Sequence, residues 1–558
     1  MNFIKKECKP ILILVFIFIV QIFLYRYKTY GLYIDIGREV YFPQAILEGK
    51  IMYRDLFNNF LPFSYLFNAL MYKLFGSNLS TLFWVGCLNT FSIVLCLYKI
   101  SREFLTQKNS TIIASLIIIC CCFTTNIINY ITPYAFAMTY GLNFSLIAIV
   151  CYLEYLKSDK NILLYFAFLS AGVAIANKYE FIPLLLFFLI NMFLSRKKIS
   201  AILKALAFGF LPVLVSFAIL FLQGLSLNDL IKYYKLASIY ANTDAMKEFY
   251  TGLYYFSLPT FLFSIMCLVV SVFFLYSLHK IYWYIVNNLK NKTQIAAYCV
   301  LTLSLVLLFV LLRYYFKYFM FTYLAWLFAV LLVIKIKPII KSAPHYILFF
   351  FTLFFSVKSF WSTNMGMTYG NYVFPIVFLS TLIVIKDFYI NDSTKIDNYG
   401  KTLSYFLIVY IVAVFGINFS ILNVYPYKLE TPKGIIYAKQ SDGELFDYVF
   451  RYISKNTLKT DRIIVLPETA MLNFLFNRES DGNYNALKSE MVEAYGENNI
   501  INYFNDDKPE YFLKVMTPTA KDDFGIDYAQ NLNKWIENNY NKVFVLSNTT
   551  VITLFKRK

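Results

Sequence analysis

The stretch ILILVFIFIVQIFLY, residues 11–25, decides the fold class, because one glutamine and one tyrosine are its only polar side chains. Similar runs recur at loop-sized intervals, among them FIPLLLFFLINMFL (181–194) and TLSLVLLFVLL (302–312). Each approaches the roughly 20 residues that cross a bilayer. The chain of 558 residues is 59% hydrophobic and only 15% charged, against roughly 25% charged in soluble domains. The sequence therefore predicts an integral membrane protein.

The apolar runs predict a mostly α-helical, polytopic bundle of about 13 transmembrane helices. Lys5, Lys6 and Lys9 precede the first run, and no small-residue cleavage site follows it. We therefore expect a retained first helix rather than a signal peptide. The predicted spans are residues 10–29, 81–100, 111–130, 135–153, 161–177, 180–195, 201–222, 252–278, 294–312, 318–334, 345–360, 371–385 and 402–422.

Basic residues indicate the orientation, because cytoplasmic loops collect Lys and Arg. With the N-terminus inside the cell, every inner loop is basic, as in the loops around 196–198 and 335–341. An odd number of spans then places the C-terminal tail outside. We expect a multi-pass protein of the plasma or inner membrane with a cytoplasmic N-terminus.

The tail from about Tyr425 has a different pattern. Long apolar runs give way to short strand and helix signals such as DRIIVLP (461–467) and YAQNLNKWIENNY (528–540), which predict a small α/β unit. The sequence thus divides into a transmembrane domain, 1–424, and an extracytoplasmic α/β domain, 425–558. Their net charges are +19 and −1. The tail contains no cysteine, so it folds without disulfides.

The charge and motif pattern excludes several function classes. The excess of Lys and Arg in the membrane part is explained by the orientation of its loops and by attraction to anionic lipid. The inner loops are too short to build a nucleic-acid-binding surface. His279 and His345 are the only histidines, and both fall at predicted cytoplasmic ends. Chemistry on the outer face must therefore work without a Ser/His triad or a His-rich zinc site. No Gly-rich nucleotide fingerprint is visible between a strand and a helix.

The first outer segment, about 30 to 80, is the longest outer loop of the membrane part and is unusually charged. Two pieces, REVYFPQAILEG and PFSYLFNALMYKLFG, read as helices lying in the membrane interface, each ending at a glycine. Interfacial helices in such a loop would position polar groups at the outer membrane surface. The charged residues of the segment are Asp35, Arg38, Glu39, Glu48, Lys50, Arg54, Asp55 and Lys73.

Asp35 comes where the first helix should leave the membrane. A partly desolvated carboxylate at the mouth of a cavity can accept a proton from a hydroxyl; the alternative is a turn-forming aspartate before Gly37. Arg38 and Glu39 would pair with each other or with Asp55.

Lys50 and Arg54 are spaced i,i+4, which would present two cations on one helix face and suit a phosphate. A solvated helix face is the other interpretation of that pair. Lys178 and Glu180 lie in the short connection ANKYEFIP (176–183), where a lipid-facing Lys-x-Glu would cost several kcal/mol. We therefore expect this pair to face a cavity.

Further cations are predicted near the outer surface. Arg313 and Lys317 lie i,i+4 among tyrosines in RYYFKYF, and Lys358 lies close to Trp361. Their alternative role is to anchor helices in an aromatic belt. The loop 223–252 predicts another interfacial helix, acting as a gate or as a plain connector.

These residues resemble a known family. An Asp just after the first membrane helix, followed by GREVYFPQAILEGKIMYRDLF, Pro62 and the helix SYLFNALMYKLFG, is similar to the polytopic GT-C glycosyltransferases. The resemblance is to the bacterial branch related to protein O-mannosyltransferases and aminoarabinose transferases, which is glycosyltransferase family 39-like. NKYEF and the tail motifs VLPETAMLNFLFNRES, KPEYF and FGIDYAQ resemble a bacterial subgroup.

The resemblance implies transfer of a sugar from a polyprenyl-phosphate donor to an acceptor hydroxyl of a glycan, lipid or protein on the outer face. Asp35 would be the general base. Relatives carry Asp-Glu in tandem, whereas here Ile36 follows Asp35 and the next acid is Glu39, so the role of Glu39 stays open. The substrate-binding candidates are Arg38, Lys50, Arg54, Asp55, Lys178, Glu180, Arg313 and Lys317.

The resemblance also leads to expectations about cofactors, about the tail and about alternative functions. No cofactor is expected; a divalent metal is an alternative that the scarcity of outer acids and histidines does not favour. The tail would bind the acceptor, form a lid or serve as a structural cap. One alternative function is a transporter or lipid flippase. Transporters often contain repeated halves, and this sequence shows no clear internal repeat. The other alternative is a non-catalytic component of envelope polysaccharide assembly.

Overall fold

The computed structural model describes residues 7–32, 36–124, 129–248, 258–311, 313–357, 370–390, 393–468, 470–480, 484–516, 522–547 and 550–558. Within the described residues, a helix overlaps each of the predicted spans. The mostly helical fold class is confirmed. These helices are α1 (Cys8–Tyr25), α4 (Leu79–Phe104), α5 (Gln107–Ile117, continued by a π-helix over Ile118–Cys122), α6 (Phe136–Ser158), α7 (Asn161–Asn177), α8 (Ile182–Leu194), α9 (Ile199–Leu222), α11 (Leu258–Asn288), α12 (Asn291–Leu311), α13 (Arg313–Ile334), α15 (Ala343–Phe355), α16 (Gly370–Phe388) and α17 (Ser393–Ile421).

Six helices in the described part of the chain are long and apolar enough to cross a membrane. They are α1, α4, α6, α9, α12 and the segment Asp397–Val424, which consists of most of α17 and the 3-10 turn that follows it. Shorter apolar helices, such as α7 and α15, lie between them. The number of crossings therefore stays a prediction, as does the orientation of the termini.

The first outer segment contains the two predicted helices, α2 (Ile36–Leu47) and α3 (Phe63–Phe75). The backbone leaves each helix through a glycine in the left-handed region, Gly49 with φ +94° and Gly76 with φ +89°. The expectation that Lys50 and Arg54 share a helix face is wrong. Residues 50–54 form a turn after α2, and Tyr53 itself has φ +68°.

Helix α3 has its polar side inside. Ser64, Asn68 and Tyr72, spaced four residues apart, are buried together with Tyr65. Apolar side chains point outward instead, with Leu74 61% exposed. Such inverted amphipathicity is typical of a helix whose outer face meets lipid, where exposed apolar groups carry no penalty.

The loop 223–252 contains the predicted additional helix, α10 (Leu227–Ala241), which begins with a capping box between Ser226 and Asp229. The Tyr233 ring lies 4.7 Å from that of Tyr53, centroid to centroid, and its hydroxyl donates to the carbonyl of Asn58. Helix α10 is thus packed against the first outer segment. Its role as a gate stays a prediction.

A short helix, α14 (Ile336–Ile340), precedes α15.

The tail, which follows α17, consists of short strands and helices. A hairpin of β1 (Tyr427–Thr431) and β2 (Gly434–Ala438) precedes a sheet of four strands, which are β3 (Ile463–Leu466), β4 (Tyr511–Met516), β5 (Tyr540–Ser547) and β6 (Val551–Arg557). The order of the strands in this sheet is β3-β4-β6-β5. Strand β4 runs parallel to β3 and antiparallel to β6. The predicted α/β pattern of the tail is confirmed. Its elements are β1 (Tyr427–Thr431), β2 (Gly434–Ala438), α18 (Gln440–Asn456), β3 (Ile463–Leu466), α19 (Ala470–Phe476), α20 (Ser489–Tyr495), α21 (Glu497–Asp506), β4 (Tyr511–Met516), α22 (Gln530–Asn539), β5 (Tyr540–Ser547) and β6 (Val551–Arg557).

The hydrophobic core runs from the helical bundle into the tail without a break. One cluster of buried apolar residues includes Leu14 of α1, Val40 of α2 and Met471 of α19. A smaller cluster lies inside the tail around Phe504 and Phe512. The tail therefore shares a core with the first outer segment, which explains the apolar sequence AMLNFLF of α19.

Candidate functional site

Several candidate residues lie at or beyond the limits of the structure. Asp35, the candidate base, and Lys358 lie outside the described residues. Arg313 and Lys317 lie on α13, but their side chains fall outside the described part of the chain. The candidate roles of these four residues stay predictions.

Glu39 is held in the first turn of α2, where it is completely buried. One carboxylate oxygen, Oε1, accepts a hydrogen bond of 2.5 Å from the Tyr65 hydroxyl. The other, Oε2, accepts one of 2.8 Å from the backbone N–H of Phe136, at the start of α6. Arg38 Nε lies 3.7 Å from Oε1. These donors offset the free-energy cost of burying the Glu39 carboxylate, and its contacts join α2, α3 and α6.

The proton of Tyr65 stays on its hydroxyl. Burial, and next the charge of Glu39, raise the pKa of Tyr65 well above its usual value, although the charge of Arg38 acts in the opposite direction. The Tyr65 hydroxyl therefore keeps its proton and donates it in the hydrogen bond to the Glu39 carboxylate.

Replacing Tyr65 by phenylalanine should destabilise the protein. Tyr65→Phe removes one donor from the buried Glu39 carboxylate and so should lower the free energy of unfolding by about 1–3 kcal/mol. A lower apparent midpoint of thermal unfolding of the purified protein in detergent would report this loss.

Tyr140→Phe is the matched control, because the Tyr140 hydroxyl donates a 2.6 Å bond to the neutral amide oxygen of Asn68. Bonds to charged acceptors are roughly twice as strong as neutral ones. The midpoint should therefore fall less in Tyr140→Phe than in Tyr65→Phe. Equal losses would mean that the Glu39 charge adds nothing to the bond.

Two cations meet over the ring of Phe60, which is half-buried. The guanidinium carbon of Arg38 lies 5.4 Å from the ring centroid, and Lys178 Nζ lies 5.1 Å from it. Both distances fall in the cation–π range. The ring is held in place because the N–H of Leu61 donates to the carbonyl of Asn177, at the end of α7, over 3.1 Å. The outer segment and the end of α7 thus bring Arg38 and Lys178 to one site.

Lys178 pairs with Glu180, which is the second carboxylate of the site after Glu39. Lys178 follows directly after α7, is 8% exposed, and its Nζ lies 2.9 Å from Glu180 Oε1. The two side chains thus form an ion pair, and the expectation that they face a cavity stays a prediction. The site therefore contains two cations and two carboxylates around one aromatic ring, held by α2, α7 and the start of α3.

The remaining candidates have partners elsewhere. Lys50 Nζ lies 2.9 Å from Glu479 Oε1 of the tail. Arg54 donates two bonds, of 2.9 and 2.8 Å, to the two oxygens of Asp55. Burial raises the pKa of Asp55, but the bonds from Arg54 and from the Ile51 N–H outweigh it and lower the pKa. Asp55 is thus an ionised partner of Arg54 and not of Arg38.

Phe60 and Tyr65 were not among the residues that sequence reasoning selected. A signal for the second exists, since polar residues repeat every four positions along an otherwise apolar α3. Phe60 carries no such signal. Among the described residues, no three His, Cys, Asp or Glu side chains are close enough to hold a metal ion.

Three comparisons with known proteins bear on the fold. Residues 61–221 match the family described as dolichyl-phosphate-mannose-protein mannosyltransferase. Among solved structures, ArnT from Cupriavidus metallidurans bound to undecaprenyl phosphate aligns with 99% of this chain and 98% of its own, at 9% identity and a TM-score of 0.51. The apo oligosaccharyltransferase of Archaeoglobus fulgidus aligns with 99% of this chain and 74% of its own, at 10% identity and a TM-score of 0.50. The comparison with curated proteins found no match.

These likenesses establish the architecture. The family match starts just before α3 and ends in α9, and it contains Tyr65, Lys178 and Glu180. The structural likeness extends over nearly the whole chain, including the tail. The chain therefore has the GT-C fold of multi-pass membrane glycosyltransferases, as the resemblance implied.

Proposed function

We propose that the protein transfers a sugar from a polyprenyl-phosphate donor to an acceptor hydroxyl on the outer face of the membrane. The observation that carries this proposal is the convergence of Arg38 and Lys178 over Phe60. Two partly buried cations beside the outer helices suit a lipid phosphate. The undecaprenyl phosphate bound to ArnT, which has the same fold, supports a donor of this class.

The proposed reaction is a single substitution at the anomeric carbon. The acceptor hydroxyl gives its proton to the Asp35 carboxylate while its oxygen forms a bond to that carbon. The bond from the same carbon to the phosphate oxygen breaks, and the polyprenyl phosphate leaves as an anion. Arg38 and Lys178 would stabilise the negative charge that develops on this phosphate.

Glu39 is proposed to position Arg38 rather than to touch substrate. Its two oxygens are engaged by Tyr65 and by the Phe136 N–H, and its side chain is completely buried. A carboxylate in this setting supports a fixed orientation of the neighbouring guanidinium. We therefore propose Asp35 alone as the general base.

Reconstitution tests the proposal directly. Purified protein in nanodiscs should transfer radiolabelled sugar from polyprenyl-phosphate sugars to a membrane-envelope fraction, and should release polyprenyl phosphate in equal amount. EDTA should leave the rate of transfer unchanged, because we expect no metal to take part. Transfer from nucleotide sugars with no lipid-linked donor would contradict the proposed donor class.

A transporter or flippase would give a different result in the same experiment. A flippase would move the labelled lipid between leaflets of a sealed vesicle without breaking the bond between sugar and phosphate. Recovery of intact donor lipid after translocation would overturn the glycosyltransferase proposal, and recovery of free polyprenyl phosphate would support it.

A further inference from the structure

Helix α19 of the tail lies directly against helix α2 of the first outer segment. A Cβ atom added at Gly37 would come 2.4 Å from the backbone nitrogen of Met471. Both residues are buried. The glycine therefore allows two backbones to approach more closely than any side chain would permit, at a point two residues after Asp35.

Further contacts fix the tail along the rest of the outer segment. The backbone N–H of Ser480 donates to the Tyr41 hydroxyl over 2.9 Å. Phe474 stacks on Tyr72 of α3, with ring centroids 6.0 Å apart. Lys50 pairs with Glu479 at the far end of α2. Helix α19 is thus in contact with both helices of the outer segment.

The tail also holds α19 firmly from its other side. The Asn473 amide nitrogen donates to the carbonyl of Ile463 in β3 over 2.7 Å, and the Ile463 N–H donates to the carbonyl of Glu479 over 3.1 Å. Arg478, which is buried, donates to the hydroxyl and the carbonyl of Thr457. The sheet of the tail and helix α2 are therefore linked through one rigid segment.

We propose that α19 is a clamp that positions the first turn of α2, with Gly37 and Met471 as positioning residues. This inference rests on the proposed function, in which Arg38 binds the donor phosphate. Arg38 follows Gly37 directly in the chain, so a displacement of the Gly37 backbone also displaces Arg38. A misplacement of about 1 Å in a catalytic group can lower a rate on the order of 10²-fold.

Gly37→Ala tests the clamp. The added methyl group must push α19 and α2 apart, because the atom that it meets belongs to a backbone. We expect kcat of folded, nanodisc-embedded protein to fall about 10- to 100-fold, because Arg38, proposed to stabilise the leaving phosphate, moves with the Gly37 backbone. Gly31→Ala is the matched control, because a Cβ atom at Gly31 meets nothing within 4 Å.

Rescue by charge exchange is a second measurement. Lys50→Glu and Glu479→Lys each place like charges together and should each lower kcat, whereas the double variant should recover most of it. A double variant as poor as Lys50→Glu alone would contradict the clamp and would return Lys50 to the donor site.

The outcomes separate the clamp from the proposed function. Wild-type kcat in Gly37→Ala, together with an inactive Asp35→Asn variant, would overturn the clamp and leave the proposed function intact. Full activity in Asp35→Asn together with a loss of kcat in Gly37→Ala would overturn the assigned base and support the clamp. A Gly37→Ala variant whose kcat per folded molecule is normal, but whose yield is low, would also overturn the clamp, since a purely structural contact predicts that result.

Discussion

Asp35→Asn should lower kcat by about 10²- to 10⁴-fold, the range that general-base catalysis contributes. The amide cannot accept the proton of the acceptor hydroxyl, although its size and shape are nearly those of the carboxylate. Single-turnover transfer from a labelled polyprenyl-phosphate sugar, measured on purified variants in nanodiscs, would give the rate of the chemical step. Donor affinity should stay near that of the wild type, because the phosphate contacts are not altered.

Two companion variants make the Asp35 result specific. Asp35→Glu keeps the carboxylate but displaces it by one methylene group, so its rate should lie between those of the wild type and Asp35→Asn. Asp244→Asn removes an exposed carboxylate that lies after α10 and 3.1 Å from Lys247 Nζ, and should leave transfer unchanged. Normal transfer by folded Asp35→Asn would exclude Asp35 as the base.

Lys178→Met should lower kcat/KM on the order of 10²-fold, the loss that accompanies removal of one donor aimed at a developing negative charge. Methionine keeps most of the apolar stem over Phe60 and removes the charge. The donor phosphate would lose a cation in both the ground state and the transition state, so KM should rise as kcat falls. Initial rates over a range of donor concentrations would separate the two constants.

A paired variant removes the chief ambiguity of the Lys178 experiment. Lys178→Met removes an ion-pair partner of Glu180, which alone can destabilise the site. The double variant Lys178→Met with Glu180→Gln removes the charge of that carboxylate as well. Recovered thermal stability with activity still lost would assign Lys178 to the donor, whereas recovered activity would exclude that role. Lys73→Met, at an exposed position in the last turn of α3, is the control for loss of an outer lysine.

The helices were predictable because a bilayer-spanning helix is an apolar run of fixed length, a property of the local sequence. The turn after α2 was not predicted. Lys50 and Arg54 have helical spacing, but Gly49 and Tyr53 adopt left-handed backbone angles that end the helix. Tertiary contacts of Tyr53 with Tyr233, which is distant in sequence, stabilise that turn.

The site was predictable only in part, because its residues are brought together by contacts that are distant in sequence. Lys178 and Glu180 are close in the chain, and the cost of a charge in lipid predicted only that they avoid lipid. The convergence of Arg38 and Lys178 on Phe60 depends on how α2 and α7 pack, which no local pattern encodes. The tail motif AMLNFLFNRES seemed uninformative about chemistry, yet its residues pack against the helix that follows Asp35.

The packing of α19 on α2 has a consequence for biosynthesis. Residues 36–47 leave the ribosome more than 400 residues before residues 470–476. At about 5–20 residues per second, the interval is roughly 20–90 s. Throughout that time the first outer segment lacks its partner helix. Under the proposed mechanism, a nascent chain, or one truncated before α19, would carry Asp35, Arg38 and Lys178 and still lack the contact that fixes α2, so activity would be delayed until synthesis is almost complete.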